Sequence, residues 1–591
     1  MPQIEFGQLQ TDLPTYQNSG AIKVDGVIPL AKGYKSFPRF VPLSGTGLTS
    51  SPVGLFTSFS AEGSTNYAGD GTKLYQMDSS LVFQDKSKAG GYTNSVTAGS
   101  RDFWAFTQFG SNIIATNGAD NIQKFEEGVD SAFSDLVSLK AKFLAVIRDF
   151  VVSGFVTENE TAKSFDSNTI NSNAITITSH GYLTGDKVIY DRNGNTALTN
   201  LTDGSTYFVI KVNANSLKLA TTSANAVAGT PITLSATGGS QTHKLEKFVV
   251  YNQRVKWSGL NNSSQWTPSQ STQSGLQDLV GTHGNIQSVV GGESYGVIFM
   301  ERAIFRMDYV GTPLIFQFSK IADNIGAFAP KSVVSFGNDI FFLAQDGFYK
   351  LTGGQQLTPI GNGKIDDFFL QDITSNFEGI CSAVDPNNSM VVWSYRGSGD
   401  PSSEFINNKL ICYNFNVDKW STASEQELLF MNSASQEAFT TLESLDVLGT
   451  LDGLPYSLDS YFYDEGITGL GAFDSAKKFG KFLGASMDAE VDTTEFEGAK
   501  ELRSTIINAR PIVNANGSDN STITVTPIAR SSQADAVTTG TAVTTQSSGD
   551  CPLRSTSRYH RMKVKVTGNF LTMSGVDVES RPQGKRSWQQ I

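Results

Sequence analysis

A single loose unit recurs along residues 54–457 and restricts the folds open to this chain. The unit is an apolar strand, a polar turn, a second apolar strand that ends in an aromatic residue, and a polar or glycine-rich connection, as in residues 54–78, 101–125 and 288–311. Short strands separated by turn residues, with no helical pattern between them, predict sheets built from successive hairpins. About five to seven such units favour an all-β fold with a β-propeller core. A stack of β-sandwiches would have a similar period.

The clearest unit has alternating apolar and polar residues from Val333 to Leu343. Gln345-Asp346-Gly347 follows, and an Asp-Gly pair suits a two-residue hairpin loop. A later unit turns through Asp385-Pro386-Asn387-Asn388 and resumes at Met390. Each pattern predicts a strand on either side of the turn. We expect the two aspartates to serve the turns, where Asp favours local backbone hydrogen bonds.

Two interruptions of the repeat divide the chain. The strand at residues 142–156 finds its partner pattern only at residues 247–257, and the strands between them predict an inserted β-module. Such an insertion costs little closure entropy when its ends lie on neighbouring strands. After residue 457 the hairpin rhythm stops and longer strands follow. The predicted division is an N-terminal extended segment at 1–50, a first propeller part at 51–158, the inserted module at 159–246, a second propeller part at 247–457 and a C-terminal β-domain at 458–591.

Charge and cysteine content narrow the function. The formal net charge is -12, whereas a protein that clamps DNA regardless of sequence needs Lys and Arg to neutralise phosphates. Cys381, Cys412 and Cys551 are odd in number and lack CxxC spacing, so we predict neither a disulfide framework nor a zinc site. No segment approaches the ~18 apolar residues of a membrane span, and the first residues have no secretory pattern. We therefore expect synthesis in a cytoplasm and no membrane insertion.

Three stretches resemble a known family. Residues 554–586, with a basic strand, Gly568, the Ser574-Gly575 turn and a final strand, resemble the C-terminal part of tail hub or nozzle proteins of short-tailed bacteriophages, the group that includes the packaged-DNA stabilisation proteins. Residues 316–351 look like the central blade of that family, and residues 12–34 look like its opening segment. The inserted module resembles a small β-domain frequent in phage structural proteins, although it is not a regular part of the enteric-phage hub. No tail-tip or plug segment is evident.

The resemblance implies a structural protein of the virion, located in the phage tail, rather than an enzyme. We expect a homo-oligomeric ring, a hexamer, that extends the portal and adaptor channel, retains packaged DNA and conducts it during ejection. The implied partners are further copies of the chain, the tail adaptor or head-to-tail connector, tail fibre or spike proteins, and the passing genome without sequence-specific binding. An acidic lumen would repel phosphate and let DNA slide. Contact with the host envelope stays open, and no cofactor is implied.

Two other classes of protein fit the same fold prediction. One is a tail adhesin that binds a host receptor. The other is a glycan-acting propeller enzyme, which needs two carboxylates across a sugar or a tyrosine nucleophile with an arginine cluster. No complete Asp-box (Ser-x-Asp-x-Gly-x-x-Trp) occurs, and no GxSxG elbow accompanies a histidine. We therefore predict no catalytic or cofactor-binding residues. We also predict no metal-binding residues, because residues 191–195 have the polarity of a calcium loop but lack its bidentate Glu.

One group of residues is a candidate for docking. Five basic residues lie close together in sequence: Arg554, Arg558, Arg561, Lys563 and Lys565. Alternation along a strand would place several of these charges on one face. Such a face could dock against an acidic neighbour, either another subunit or the adaptor. An ordinary solvated strand face would have the same pattern.

Overall fold

The computed structural model describes residues 3–15, 17–61, 63–97, 100–236, 239–374, 377–399, 405–424, 427–435, 468–515 and 521–583. Strands account for 54% and helices for 4% of the structure, which confirms the predicted all-β class. The helices of the described residues are short. The α-helices are Ser223–Val227 and Asp366–Asp372, and the 3₁₀ turns are Ser167–Thr169, Pro330–Ser332 and Phe377–Gly379.

Seven four-stranded antiparallel meanders, here named sheets 1 to 7 in chain order, form the larger part of the described chain. Their strands are Pro52–Ser60, Gly63–Asp70, Leu74–Met77 and Phe83–Asp85 in sheet 1; Ala105–Phe109, Asn112–Thr116, Ile122–Glu126 and Ser134–Val137 in sheet 2; Lys140–Ile147, Phe150–Asn159, Thr242–Trp257 and Gly275–Asp278 in sheet 3; Ile286–Val290, Tyr295–Met300, Ala303–Gly311 and Ile315–Asp323 in sheet 4; Val334–Phe336, Asp339–Ala344, Gly347–Thr352 and Gln356–Pro359 in sheet 5; Cys381–Asp385, Met390–Tyr395, Lys409–Asn414 and Lys419–Ala423 in sheet 6; and Leu428–Ala434, Gly469–Asp474, Phe479–Ser486 and Pro38–Pro42 in sheet 7.

Sheet 7 combines the two ends of the repeat. Its last strand, Pro38–Pro42, comes from the N-terminal part of the chain and pairs with Phe479–Ser486. The structure therefore differs from the predicted division, because residues 38–42 complete sheet 7 and earlier strands of residues 1–50 join the C-terminal domain, so 1–50 is not a separate extended segment, and residues 469–486 do not belong to the C-terminal domain. Pairing partners more than 400 positions apart leave no local pattern in the sequence.

The hairpins predicted in sheets 5 and 6 are present, with two corrections. Ala344 pairs with Gly347, so the two-residue loop is Gln345-Asp346, one residue earlier than the predicted Asp-Gly turn. In sheet 6, Asp385 pairs with Met390 as predicted. The alternation from Val333 to Leu343 is two strands rather than one, because Gly337, at φ 58°, turns the chain after Phe336. A residue with positive φ is best supplied by glycine, which has no Cβ to clash.

Hydrogen bonds from side chains and from the backbone connect each sheet to the next. Sheet 7 contacts both sheet 6 and sheet 1. The bonds in order from sheet 1 are Trp104 Nε1 to Asp70 O (2.9 Å), Thr116 Oγ1 to Ala141 O (2.6 Å), Arg148 N to Gly292 O (2.9 Å), Arg306 Nη1 to Gly353 O (2.8 Å), Ser382 Oγ to Lys331 O (2.7 Å), Ser433 Oγ to Val384 O (3.0 Å) and Asn432 Nδ2 to Leu55 O (2.7 Å).

The inserted strands extend sheet 3. The 16-residue strand Thr242–Trp257 pairs through its second half with Phe150–Asn159 and through its first half with inserted strands. Lys163–Asp166 and Lys187–Asp191 pair with it directly, and the other inserted strands, Thr206–Asn213, Ser216–Ala220 and Ile175–Thr176, extend the sheet beyond Lys187–Asp191. They enclose a separate apolar core that includes Tyr190, Leu217 and Leu245. All five lie within the range predicted for the inserted module.

Strands from both ends of the chain build the C-terminal domain. One sheet contains Gln3–Glu5, Val27–Pro29, Tyr34–Ser36, Arg503–Asn514, Cys551–Ser557 and Thr572–Gln583. The other contains Lys23–Asp25, Ala489–Asp492, Phe496–Glu497, Thr522–Arg530, Thr538–Thr539, Val543–Thr544 and Tyr559–Thr567, and it continues sheet 6 where Asp25 pairs with Thr422. A short two-stranded sheet, Val96–Thr97 with Ser100–Arg101, lies apart.

One apolar core unites this domain with sheets 5 and 6. The ring of Phe348 packs on Trp393 and Trp420 at centroid distances of 4.7 and 5.1 Å. The same cluster includes Val491 and Val564 of the C-terminal domain. Burial of large aromatic rings is a major source of packing free energy, so the two parts of the chain stabilise each other.

Candidate functional site

Four of the five predicted basic residues lie on two strands of the C-terminal domain, and Arg558 lies between these strands. His560, Met562, Val564 and Val566 are buried, and the alternation of a strand places Arg561, Lys563 and Lys565 together on the opposite face. Arg558 precedes that strand, and Arg554 lies on Cys551–Ser557. The structure therefore brings three of the five residues onto one face.

Carboxylates of neighbouring strands neutralise most of this face. Lys563 Nζ lies 3.0 Å from Glu490, and Lys565 Nζ lies 3.5 Å from Asp488. Arg558 Nε lies 2.9 Å from Glu497. These partners are about 60 to 80 positions away in sequence, which is why the basic run alone suggests a larger net charge than the folded face has.

Arg554 is different, because it is exposed and has no carboxylate within ion-pair distance among the described residues. It borders a surface cavity of about 410 Å³ that is also lined by Arg530 and Asp535. Arg530 forms an ion pair with Glu495, at 2.7 Å. Of the five predicted docking residues, Arg554 is thus the one best placed to meet a partner.

Sequence reasoning missed a second charged site. A cavity of about 280 Å³ lies where segments of sheets 2, 3 and 4 meet the approach to sheet 5. Its charged lining residues are Arg101, Asp102, Lys142, Lys331 and Glu378. They come from four separate stretches of the chain, and no spacing in the sequence connects them. We call this space the cationic cavity.

Arg101 anchors one wall of the cationic cavity. Its side chain is buried, with 3% exposure. The guanidinium donates to Phe405 O (3.3 Å), Pro52 O (3.2 Å) and Leu429 O, and so bridges sheets 1 and 7. Its Nε is buried and has no hydrogen-bond partner. Three neutral carbonyls thus hold a full positive charge in place.

Lys331 lies beside it in the 3₁₀ turn before sheet 5. Its Nζ donates to Trp104 O at 2.9 Å. Burial lowers the pKa of Lys331 to about 8, because a low-dielectric surrounding disfavours the ammonium form. The ring of Phe103 lies 5.0 Å from the Arg101 guanidinium carbon and 5.7 Å from Lys331 Nζ, so one aromatic face contacts both cations.

The acidic residues of the cavity do not neutralise these two cations. Asp102 pairs with Lys142 at 2.8 Å, and Glu378 is exposed at the edge. Within the described ranges, neither Arg101 nor Lys331 forms an ion pair. Among the described residues, no three His, Cys, Asp or Glu side chains lie together so that they could hold a metal ion. None of the helices of these residues has the length and hydropathy of a membrane span.

The other residues considered from sequence have structural contacts. Cys381, Cys412 and Cys551 are buried and each carries a free thiol in the structure. Asp385 Oδ1 accepts a hydrogen bond from Asn387 N at 3.1 Å, as a turn residue would. Asp191 Oδ1 accepts in the same way from Asn193 N, at 2.6 Å, within the calcium-like loop.

Comparisons with known proteins identify no family. No protein-family model matches the chain, and no curated protein matches it. Similar solved structures include the computationally designed Ika8 protein (12% identity, 74% of this chain and 98% of that chain, TM-score 0.29), BamB from Moraxella catarrhalis (8%, 75% and 99%, 0.30) and phage phi92 endosialidase (9%, 76% and 69%, 0.26). TM-scores this low carry no conclusion about fold or function.

Proposed function

We propose that sheets 1 to 7 are the blades of a closed β-propeller and that the chain is a structural subunit of a short-tailed phage tail, its hub or nozzle. One observation carries the ring. A narrow cavity of about 160 Å³ is bordered by all seven sheets or the residues that lead into them. Its lining includes Leu55, Ala105, Leu144, Val289, Val333, Ser382 and Asn432. A shared central cavity is what radially arranged blades produce.

The structural role is supported by the path of the N-terminal segment. Lys23–Asp25 lies between Lys419–Ala423 of sheet 6 and Ala489–Asp492 of the C-terminal domain, and Pro38–Pro42 completes sheet 7. The same segment therefore ties the blades and the C-terminal domain together by backbone hydrogen bonds. A stiff connection of this kind suits a component that transmits position and force within a particle.

The proposed partners follow from the phage resemblance and from charge. Copies of the chain would form a ring, a hexamer, in line with the tail adaptor, and the genome would pass through the lumen of that ring rather than through the narrow cavity of one subunit. The net charge of -12 would limit adhesion of DNA to the lumen. We assign Arg554 to the contact with an acidic neighbour, because its charge has no partner within the described chain.

Electron microscopy of the purified full chain tests the assembly. We expect class averages of a symmetric ring whose central channel admits a DNA duplex. Monomers at every accessible concentration, in isolation and with the adaptor, would contradict the proposal. If the subunits lack a ring of blades, the propeller assignment is wrong, while the assembly proposal still stands.

Charge reversal tests the contact. Arg554→Glu should raise the concentration needed for assembly by about tenfold, since a cation that faces an acidic partner is replaced by a repelling charge. Arg302→Glu is the matched control, because Arg302 is also exposed but lies at sheet 4. Sedimentation velocity measures both. Equal assembly of the two variants would remove Arg554 from the interface.

A further inference from the structure

Two cations of the cationic cavity, the buried Arg101 and the half-buried Lys331, lack a counter-charge among the described residues. Transfer of an ionised group out of water is costly unless the group is paired. The carbonyl partners of Arg101 and the single carbonyl partner of Lys331 satisfy hydrogen bonds but do not cancel charge. Asp102 is already paired with Lys142. The lining therefore keeps an excess of positive charge next to an open volume.

The shape of the cavity adds a second observation. Its volume of about 280 Å³ is close to the lower limit of small-molecule sites. The rings of Phe103, Phe143 and Phe155 line it, and the amides of Asn285 and Gln287 are also on the wall. A charged group could lie against the cations while a larger body packs on the rings.

Backbone strain occurs at the same place. Phe155 has φ 55°, in a bulge where the pairing register between Gly154 and Val156 shifts. A bulky residue with positive φ is rare, and such strain clusters at binding and catalytic sites. The bulge turns the Phe155 ring toward Lys142, whose Nζ lies 5.0 Å from the ring centroid. The strained residue thus contributes to the wall of the cavity.

We propose that the cationic cavity is a binding site for a small organic anion. Its carboxylate or phosphate group lies beside the positive charges of Arg101 and Lys331 and accepts a hydrogen bond from Lys331 Nζ, and its body packs against the phenylalanine rings. Glu378, exposed at the edge, disfavours anions of high charge and so selects a singly or doubly charged ligand. The site is independent of the proposed role in a phage tail.

Isothermal titration calorimetry with the full chain tests the site. The probes are inorganic phosphate and glucuronate, with glucose as the neutral control. We expect saturable binding of at least one anion and none of glucose. The two anion arms distinguish a phosphate site from a carboxylate site. Absence of binding by both anions, or equal binding of glucose and glucuronate, would overturn the proposal.

Variants locate the binding. Lys331→Met should lower the affinity for the anion by about tenfold or more, which is the usual loss when a charge-assisted hydrogen bond is removed. Lys481→Met is the matched control, because Lys481 is a buried lysine that also donates to a single carbonyl, Ala434 O, at 3.0 Å, but is not among the residues of this cavity. Equal affinity in these two variants would place the anion elsewhere and overturn the assignment.

Glu378→Gln covers the case in which Lys331→Met does not fold. Its exposed side chain makes this change compatible with folding. Removal of a negative charge at the edge should tighten anion binding about two- to fivefold. Weaker or unchanged binding in Glu378→Gln would count against a site in this cavity.

Discussion

The basic strand and the cationic cavity use positive charge in opposite ways. On Tyr559–Thr567 the cations lie on the outward face, and Lys563 and Lys565 have carboxylates beside them. In the cationic cavity Arg101 is buried and Lys331 is half-buried, and within the described chain their hydrogen bonds go to carbonyl groups. The residues of the first group are close together in sequence, whereas Arg101 and Lys331 are 230 positions apart. A run of basic residues in the sequence therefore does not indicate which charges are available to a ligand.

Energetically the two groups should differ even more. A partly exposed ion pair is screened by water and salt and contributes little. A buried cation interacts strongly with every polar group around it, so its removal or its titration changes stability markedly. Substitutions in the two regions measure this difference directly.

The largest effect is expected at Arg101. Arg101→Met removes hydrogen bonds to three carbonyls and leaves them buried, and these carbonyls belong to the loop before Ile406, to sheet 1 and to sheet 7. We expect a loss of about 3 kcal/mol in the free energy of unfolding, offset in part by relief of the buried charge. Urea denaturation measures it.

Arg510→Met provides the control for Arg101→Met. Arg510 is half exposed and pairs with Asp550 at 3.1 Å, so its loss should cost less than about 1 kcal/mol. If both variants lose the same free energy, the buried arginine is no more important than a surface pair, and the comparison of the two regions fails.

Buried lysines should make stability depend on pH in the alkaline range. Burial lowers the pKa of Lys331 to about 8 and that of Lys481 to about 7, with Asp385 acting in the opposite direction on Lys481. The unfolded chain keeps these protons up to a pKa near 10.5, so between the folded and unfolded values it binds more protons than the folded chain. The free energy of unfolding therefore rises with pH in that window, and below it the cost of the buried charge is fully present.

Lys481→Met isolates this effect. The variant loses the titrating group, so its stability relative to the parent chain should fall as pH rises from about 7 to about 10, by up to about 1.4 kcal/mol for each pH unit. Denaturant titrations at both pH values measure the difference. A constant difference would show that Lys481 does not titrate in the expected range.

Local patterns predicted local structure, and contacts between distant segments were beyond them. The hairpin before Phe348 follows from backbone preferences of adjacent residues and is present, although its loop is Gln345-Asp346 rather than Asp346-Gly347. The strand Pro38–Pro42 carries no sign of its partner at Phe479–Ser486, since pairing depends on the whole fold. The cationic cavity combines side chains from several sheets for the same reason. The phage resemblance, the ring and the absence of catalysis stay predictions.

A smaller effect is expected at the acidic partner of the basic strand. Glu490 Oε1 forms ion pairs with Lys23 Nζ (2.8 Å) and Lys563 Nζ (3.0 Å). Burial acts to raise the pKa of Glu490, but the two lysines outweigh it and hold the pKa below its usual value. The stabilisation that Glu490 gives the folded chain is therefore fully present above the unfolded pKa near 4.5. It is lost as pH falls through the lower pKa of Glu490 in the folded chain.

Glu490→Gln should therefore cost about 1 kcal/mol near neutral pH and almost nothing at about pH 3. Thermal unfolding at the two pH values checks this expectation. A loss of equal size at acid pH would assign the effect to packing of the side chain rather than to its charge.

The smallest effect is expected at Lys565, whose side chain is 47% exposed and lies 3.5 Å from Asp488. Lys565→Ala should change the free energy of unfolding by less than about 0.5 kcal/mol, because water screens the pair and holding the long side chain costs entropy. A double-mutant cycle with Asp488→Ala measures the coupling free energy between Lys565 and Asp488. Asp488 also lies 3.0 Å from Arg39, and this second ion pair should lower the coupling further. A coupling above about 1 kcal/mol would make the basic strand a stabilising network like the buried cations. If instead stability is unchanged while assembly weakens, the strand acts in docking, and its charges are shared with a neighbour.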